Sequence, residues 1–581
     1  MIRLRPLLRY ALFGAVLGVA GGILAIETTS RLRAAPVFVQ SGGSGSASTT
    51  DTLTGAYLAG RHAESLNDLD TAAGFMADAL RRDPSNLELQ RRLVLLYATA
   101  GRIDEAVPYA GSVLAREDPM LVASLILAAD AMRRDERREA LARLEPLPKE
   151  GLSGYVTPPM IAWAKYDDGP DAALAAMKPF GPTASLRPIE RLQAAYINDL
   201  AGREAAARTN YLAAAETGPR VSFRTLEALA SFLDRQGERA GAADVFRSFQ
   251  PDNPDSPLVE AVIERLRKSK PYPKLVRDAR EGYAETLLSI GLSLFKQGET
   301  HMALIFGRLA LHVRPDLDMA KIFVAEILEG LKLYDEVRPL YESVDSDSPF
   351  RWEARLRAAK TLAELNKFDE AVAELKEMSA DRPERFDAPF RLGNLYREKE
   401  RYKDAVAAYD QAVERIKNPG PEHWSVYYAR GMALERDKQY KRAEKDLMRA
   451  LEYKPDQPFI LNYLAYMWID LNENLERARD MIKRAVELRP DDGYIVDSMG
   501  WFHYRMGEYD QAVTMLERAV ELRPADPVIN DHLGDAYWRV GRKDEAGFQW
   551  NRAMTFDPPK DVAEDIKIKL DRGLTAAAKK G

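Results

Sequence analysis

The side chains best suited to chemistry in this chain fall into two groups, 34 residues apart. Tyr494, Asp497, Trp501, Tyr504 and Arg505 form the first; Val528, Asp531, Asp535, Trp538 and Arg539 form the second. A related set, Phe459, Asn462 and Tyr466, precedes them. Trp, Tyr and Arg are the residue types that dominate binding hot spots, and neighbouring carboxylates add directional polar contact. The chemistry these sets suit is recognition of another protein. The same aromatics could instead pack between neighbouring helices, and residue type alone leaves that reading open. No catalytic set competes with them. The histidines (His62, His301, His312, His423, His503 and His532) contain no close pair of the H-E-x-x-H kind. His503 falls at a position expected to pack between helices. The chain has no cysteine, which removes disulfides, thiolate metal sites, cysteine nucleophiles and a lipid-bearing cysteine together. Glycines near Gly291 follow a long period instead of forming a phosphate loop, and the acidic run Glu326 to Glu336 reads as a solvated helix face. The expectation is a non-enzymatic chain with no metal and no cofactor.

These residues must be positioned by a repeating element. Shifted on itself by 34, the stretch Asp492 to Pro558 superimposes Gly500 on Gly534, Gly507 on Gly541, Ala512 on Ala546, Ala519 on Ala553 and Pro524 on Pro558. Small residues at the Gly500 and Ala519 positions let two short helices cross closely, and Tyr57, Tyr97, Tyr396, Tyr409 and Tyr537 supply bulk between them. Asp526 before Pro527 suits a helix cap and first turn: the aspartate accepts an orphan amide, and proline has none to satisfy. A helix–turn–helix repeating at about 34 residues resembles the tetratricopeptide repeat.

The period extends over most of the chain. Gly60, Ala72, Ala79 and Pro84 take the places of Gly500, Ala512, Ala519 and Pro524, and a second unit runs through Val94, Gly101, Ala106 and Val113. Between Leu147 and Pro188 many prolines and glycines shorten the helices. Gly291, Ala325, Ala359 and Gly393 then stand 34 apart, with an insertion at Lys417 to Trp424 and one extra residue in the turn Leu471 to Asn474. The resulting expectation is an all-α tetratricopeptide-repeat superhelical solenoid of about 13–14 helix pairs, after an N-terminal hydrophobic helix. Its layout is 1–26 signal peptide or membrane anchor, 27–50 flexible linker, 51–255 degenerate N-terminal array, 256–280 boundary segment, 281–560 regular C-terminal array and 561–581 capping helix and tail. Five or six repeats precede Gly291, and eight follow from it. The boundary is drawn at SKPYPK (Ser269 to Lys274), where proline cannot continue a helix.

Composition fits this layout. At 581 residues the chain exceeds one ordinary core, but a repeat array buries each apolar face on its neighbour. Hydrophobic residues make up 46% and charged residues 30%, with a net charge of −6, which argues against bulk nucleic-acid binding. Arg3, Arg5 and Arg9 precede an uncharged run of 17 residues, Tyr10 to Ile26. A basic start before an apolar run is an export signal or an anchor, and 17 residues is the short end of a spanning helix. The expected location is therefore anchored at the inner membrane or exported to the periplasm.

The family resemblance implies that the first helix of each pair lines a concave groove. On that basis Asn462, Tyr466, Tyr494, Asp497, Trp501, Tyr504, Arg505, Asp531, Asp535, Trp538 and Arg539 are expected to face a partner protein. Trp550 matches Leu516 on a second helix and is assigned to packing. Some members hold a chaperone's carboxylate end with Lys and Asn; Asp and Trp stand at the equivalent positions here. The run from Asp492 to Ala546 resembles exported proteobacterial repeat proteins of the envelope, such as a lipoprotein adaptor of a carboxyl-terminal processing protease, but without its lipobox cysteine. The partners that resemblance implies are other proteins, an envelope protease or cell-wall enzymes among them. The alternative is an assembly or secretion factor facing the cytoplasm, with the N-terminal helix as a membrane tail.

Overall fold

The computed structural model describes residues 52–116, 120–177, 187–216, 222–249, 257–267 and 272–574. The expected N-terminal signal or anchor and linker (1–50) lie outside the described residues, and no helix among the described residues is long and apolar enough to cross a membrane. The described residues form 30 α-helices and no strand. Six helix pairs run from Leu53–Ser65 with Leu69–Arg82 to Phe223–Arg235 with Arg239–Phe249. Eight more run from Ala279–Lys296 with Thr300–Val313 to Pro527–Arg539 with Lys543–Met554, while Pro257–Arg267 and Lys560–Arg572 stand alone.

One backbone feature keeps this register. A residue with positive φ ends the first helix of many pairs: Asn67, Gly101 and Asp135, then Gly298, Lys332, Asn366 and Glu400, then Lys438 and Asn472, then Gly507 and Gly541. Within each of these groups the spacing is 34. Such a residue reverses the chain without a long loop, and glycine meets it with the least strain. The extra residue expected at Leu471 to Asn474 is taken up there, where Asn472 and Asn474 both adopt positive φ. Close crossing explains the glycines inside helices: a Cβ on Gly534 would lie 2.5 Å from Trp550 Cδ1, and one on Gly500 would lie 2.6 Å from Leu516 Cγ. Asp492 and Asp526 cap their helices as the sequence suggests, each accepting two backbone amides through Oδ1.

The chain packs as two units that divide between Ala371 and Val372. In the first, the chain turns back on itself. Helix Ala279–Lys296 packs on the first helices Gly151–Ala164 and Arg187–Leu200, and Thr300–Val313 packs on Leu87–Ala100 and Leu121–Arg133. The groove side of these earlier pairs is thus filled by a later pair of the same chain. In the expected boundary, Tyr272 is buried, and Tyr272 and Pro273 are tied to helix Phe223–Arg235. Tyr272 N donates to Asp234 Oδ2 at 2.7 Å, Tyr272 OH donates to Glu227 Oε1 at 2.7 Å, and Ser231 Oγ donates to the Pro273 carbonyl at 2.7 Å.

The interface is polar as well as apolar. Trp163 is fully buried against Gly282, and its Nε1 donates to Gln193 Oε1 at 2.8 Å. Arg224 donates to Glu285 Oε2 at 3.1 Å and to Glu227 Oε2 at 2.6 Å, with all three side chains buried. Burial opposes the Arg224 charge, but Glu285 and Glu227 outweigh it and hold the guanidinium firmly protonated.

In the second unit, first helices of successive pairs lie side by side: Pro458–Leu471 against Gly493–Arg505, and Gly493–Arg505 against Pro527–Arg539. The core there includes Leu516, Ile529, Leu533, Ala536 and Trp550 of the paired helices and Ile566 of the last helix.

Candidate functional site

The side-by-side first helices of the second unit carry a continuous row of rings. Trp501 stacks on His532 at 4.1 Å and 17°, and on Tyr504 at 4.8 Å and 10°. Arg539 Nε donates to Tyr504 Oη at 3.2 Å and its guanidinium lies over the Tyr509 ring at 5.8 Å. Trp501 Nε1 donates to Asp470 Oδ1 at 3.4 Å, and Arg505 Nη1 lies 3.8 Å from the same oxygen. Partial burial of its side chain, 47% exposed, raises the Asp470 carboxyl above its ordinary value, against the Trp501 donor and Arg505. Trp501, Tyr504 and Arg505 are half-buried, while Asp470 and Arg539 are exposed. One edge of the row therefore remains open to solvent.

The sequence-expected residues do not all join this row. Asp497 is buried beneath it and accepts from His532 Nδ1 at 3.0 Å. Burial alone would depress the imidazole, but Asp497, then Asp531 and Asp535, raise it instead. Tyr466 is half-buried in the preceding pair, with its hydroxyl pushed up by burial, then by Asp470 and Asp497. Asn462 is half-buried, and its Oδ1 is buried without a hydrogen-bond partner. Tyr494 stands apart: it is 39% exposed, with the Arg523 guanidinium over its ring at 4.8 Å.

Asp531, Asp535 and Trp538 are covered by the chain's own last helix, Lys560–Arg572. Lys569 Nζ donates to Asp531 Oδ2 at 2.8 Å and to Asp535 Oδ2 at 3.0 Å. Trp550 Nε1 donates to Asp535 Oδ1 at 3.0 Å, and Trp538 tilts on Trp550 at 5.5 Å. A Cβ on Gly573 would collide with the Trp538 ring, so Gly573 closes tightly on it. Asp531 and Asp535 are buried packing groups in this arrangement, while Trp501, Tyr504, Arg505 and Arg539 keep open edges and Trp538, under Gly573, is half-buried.

Sequence reasoning missed His532, Asp470 and Lys569. One signal was available: Lys569 stands 34 after Asp535 and 68 after Trp501, so the repeat register runs on into the last helix. His503, expected to pack, is half-buried with Nδ1 2.5 Å from Glu508 Oε2. Among the described residues one trio could approach a metal: Asp104, Asp130 and His312 in the first unit, with ligand atoms within 4.8 Å of one another. Arg133 Nη2 bonds Asp104 at 2.9 Å and Asp130 at 2.8 Å, and Arg134 Nε bonds Asp130 at 3.1 Å. The positive charge at that trio is supplied by arginine.

Comparison with known proteins fixes the repeat type. A tetratricopeptide repeat model matches residues 57–119, 356–421, 390–458 and 428–493, and a TPR repeat model matches 503–541. The matched residues carry tetratricopeptide repeats. The matched repeats include the first two pairs and much of the second unit, among them helix Gly493–Arg505 beyond His503. No curated protein matches the chain. Among solved structures it is similar to the APC/C hetero-tetramer Cut9-Hcn1, at 14% identity over 90% of this chain and 96% of that one, with a TM-score of 0.37. It is also similar to yeast Tom70, at 13% identity over 90% and 95%, TM-score 0.31. A third is YrrB, described as a TPR protein with an unusual peptide-binding site, at 20% identity over 33% and 97%, TM-score 0.26.

Proposed function

We propose that this protein is a non-enzymatic scaffold that holds partner proteins on the first-helix face of its second unit. The observation that carries this reading is the open-edged row His532, Trp501 and Tyr504 flanked by Asp470, Arg505 and Arg539. It combines rigid aromatic surface with charge of both signs on tetratricopeptide repeats, the combination found at binding hot spots. The first unit does not offer the same face, because its own helices Ala279–Lys296 and Thr300–Val313 lie on it.

The basic start and the uncharged run Tyr10 to Ile26 support a tether to the inner membrane, with the repeats in the periplasm. Envelope proteases and cell-wall enzymes are the partner class this location favours, and that choice rests on the sequence resemblance alone. The second reading, a factor on the cytoplasmic side, is separated by fusing to Gly581 a reporter active in only one compartment.

Binding is tested by recovering partners from detergent extract with the native chain and with Trp501→Ala and Tyr504→Ala. The expected result is loss of the bound partner, about 30-fold in affinity for a hot-spot aromatic. Unchanged affinity in both variants overturns the assignment of the row.

A further inference from the structure

The last helix holds an unbalanced charge. Lys569 is buried and its ammonium touches three carboxylates: Asp531 at 2.8 Å, Asp535 at 3.0 Å and Asp565 at 2.8 Å. Asp565 lies on the same helix, one turn back, at the rim, where its side chain is 52% exposed. Asp531 and Asp535 are both buried on helix Pro527–Arg539. The elements packed around them bring other groups, each already engaged. Helix Lys543–Met554 presents Trp550 Nε1 to Asp535, a neutral donor. Helix Pro527–Arg539 itself adds His532, which bonds Asp497 and also draws on Asp531 and Asp535, and Arg539, which bonds Tyr504 at the exposed edge and feels the Asp535 charge. Helix Gly493–Arg505 adds Asp497, balanced by His532 when the imidazole is protonated, and Arg505, which faces Asp470 of helix Pro458–Leu471. One buried ammonium therefore serves two buried carboxylates. An ionised carboxylate without its own counter-charge is costly in such a place, and a proton removes the cost.

We propose that helix Lys560–Arg572 is an acid-tightened cap: a proton taken up by the Asp531–Asp535 pair cancels the surplus charge and holds the helix more firmly over Trp538 and the end of the aromatic row. Its apolar hold is one fully buried side chain, Ile566, with the partly buried Val562 and Leu574 and the contact of Gly573 with Trp538. The electrostatic balance at Lys569 therefore weighs heavily in docking. With the helix lifted, Asp531 and Asp535 face water and behave as ordinary carboxylates. With it docked, burial first, and then the Asp531 charge, push Asp535 up to about 6 against the pull of Lys569. The docked form binds more protons between the ordinary carboxylate value and about 6, so docking strengthens as pH falls through that window and weakens as pH rises through 6. The device acts on access to Asp531, Asp535 and Trp538 and needs no partner to operate.

Hydrogen exchange read by mass spectrometry on the full-length chain tests it, with each rate divided by the intrinsic rate at the same pH. Protection of helix Lys560–Arg572 is expected to rise about tenfold between pH 7.5 and pH 5, the change one proton produces across this window. Asp535→Asn removes the surplus carboxylate and is expected to give a docked helix whose protection depends much less on pH, since Asp531 alone then titrates against Lys569. Lys569→Met leaves two carboxylates with no ammonium, and protection at pH 7.5 is expected to fall at least tenfold while the pH dependence steepens. Protection that is flat or declines on acidification in the native chain overturns the proposal. So does an unaltered slope in Asp535→Asn, or a rise shared equally by helix Pro458–Leu471.

Discussion

Arg224→Met is expected to lower the stability of the first unit by about 3–5 kcal/mol, the range for removing one partner of a buried ion pair. The substitution keeps much of the side chain's volume and deletes its charge. Glu285 is fully buried and Glu227 nearly so, and both lose their principal cation. Arg314 stays 3.8 Å from Glu285 and Tyr272 OH still donates to Glu227, so partial compensation is available. The effect should be local before it is global, because Arg224 ties the first helix Phe223–Arg235 to the returning helix Ala279–Lys296. Exchange protection in Ala279–Lys296 should fall first, and the denaturation midpoint of this unit with it. Adding Glu285→Gln to Arg224→Met should restore about half of the loss, since one of the two orphaned charges is then gone and Tyr272 OH still donates to the other, Glu227. A loss below about 1 kcal/mol for Arg224→Met would show that this polar contact does not hold the returning pair in place.

Trp550→Ala is the second large effect. Trp550 is 1% exposed, lies against Gly534 and Trp538, and donates its Nε1 proton to Asp535. Truncation leaves a cavity the size of an indole between two helices and takes a donor from a buried carboxylate. About 3–5 kcal/mol is expected, read from urea denaturation of the full chain by far-UV circular dichroism. Trp501→Ala should cost far less, about 1 kcal/mol, because Trp501 is half-buried and loses chiefly its stacking on His532 and Tyr504. The two tryptophans therefore separate stability from recognition. Trp550 should affect folding with binding following only as far as folding is lost, and Trp501 should affect binding with folding nearly intact. Equal stability losses in the two variants would remove that distinction.

Much of the architecture was legible because a repeat protein builds its core from near neighbours. Gly500 and Gly534 forecast close helix crossings, and the tight approach of Leu516 to the one and Trp550 to the other bears that out. The inserted residue at Leu471 to Asn474 and the caps at Asp492 and Asp526 were visible in the same way, since each is a contact within one unit. The placement of Trp550 on a second helix, facing inward, followed from its match to Leu516.

The period carried no information about contacts between distant repeats. His312 reaches Asp130, and Tyr155 bonds Ser293 at 2.9 Å, across separations of 182 and 138 residues. A 34-residue pattern records how a pair packs on the next pair, and it is the same whether a groove stays open or is later filled by the chain itself. The candidate site shows the same limit on a smaller scale. Residue type placed Trp501, Tyr504, Asp531, Asp535 and Trp538 together as one binding set. Packing then divided them, because Lys569 of the last helix comes down on Asp531 and Asp535 and buries them, while Trp501 and Tyr504 keep an open edge and Trp538 stays half-buried under Gly573.

The sequence by itself therefore determined the helix pairs, their turns and their crossings, which are set by local sterics, capping and the position of small residues. Only the tertiary structure decided which concave residues meet solvent. That depends on where non-local helices settle, through burial and charge pairing between residues the repeat does not relate.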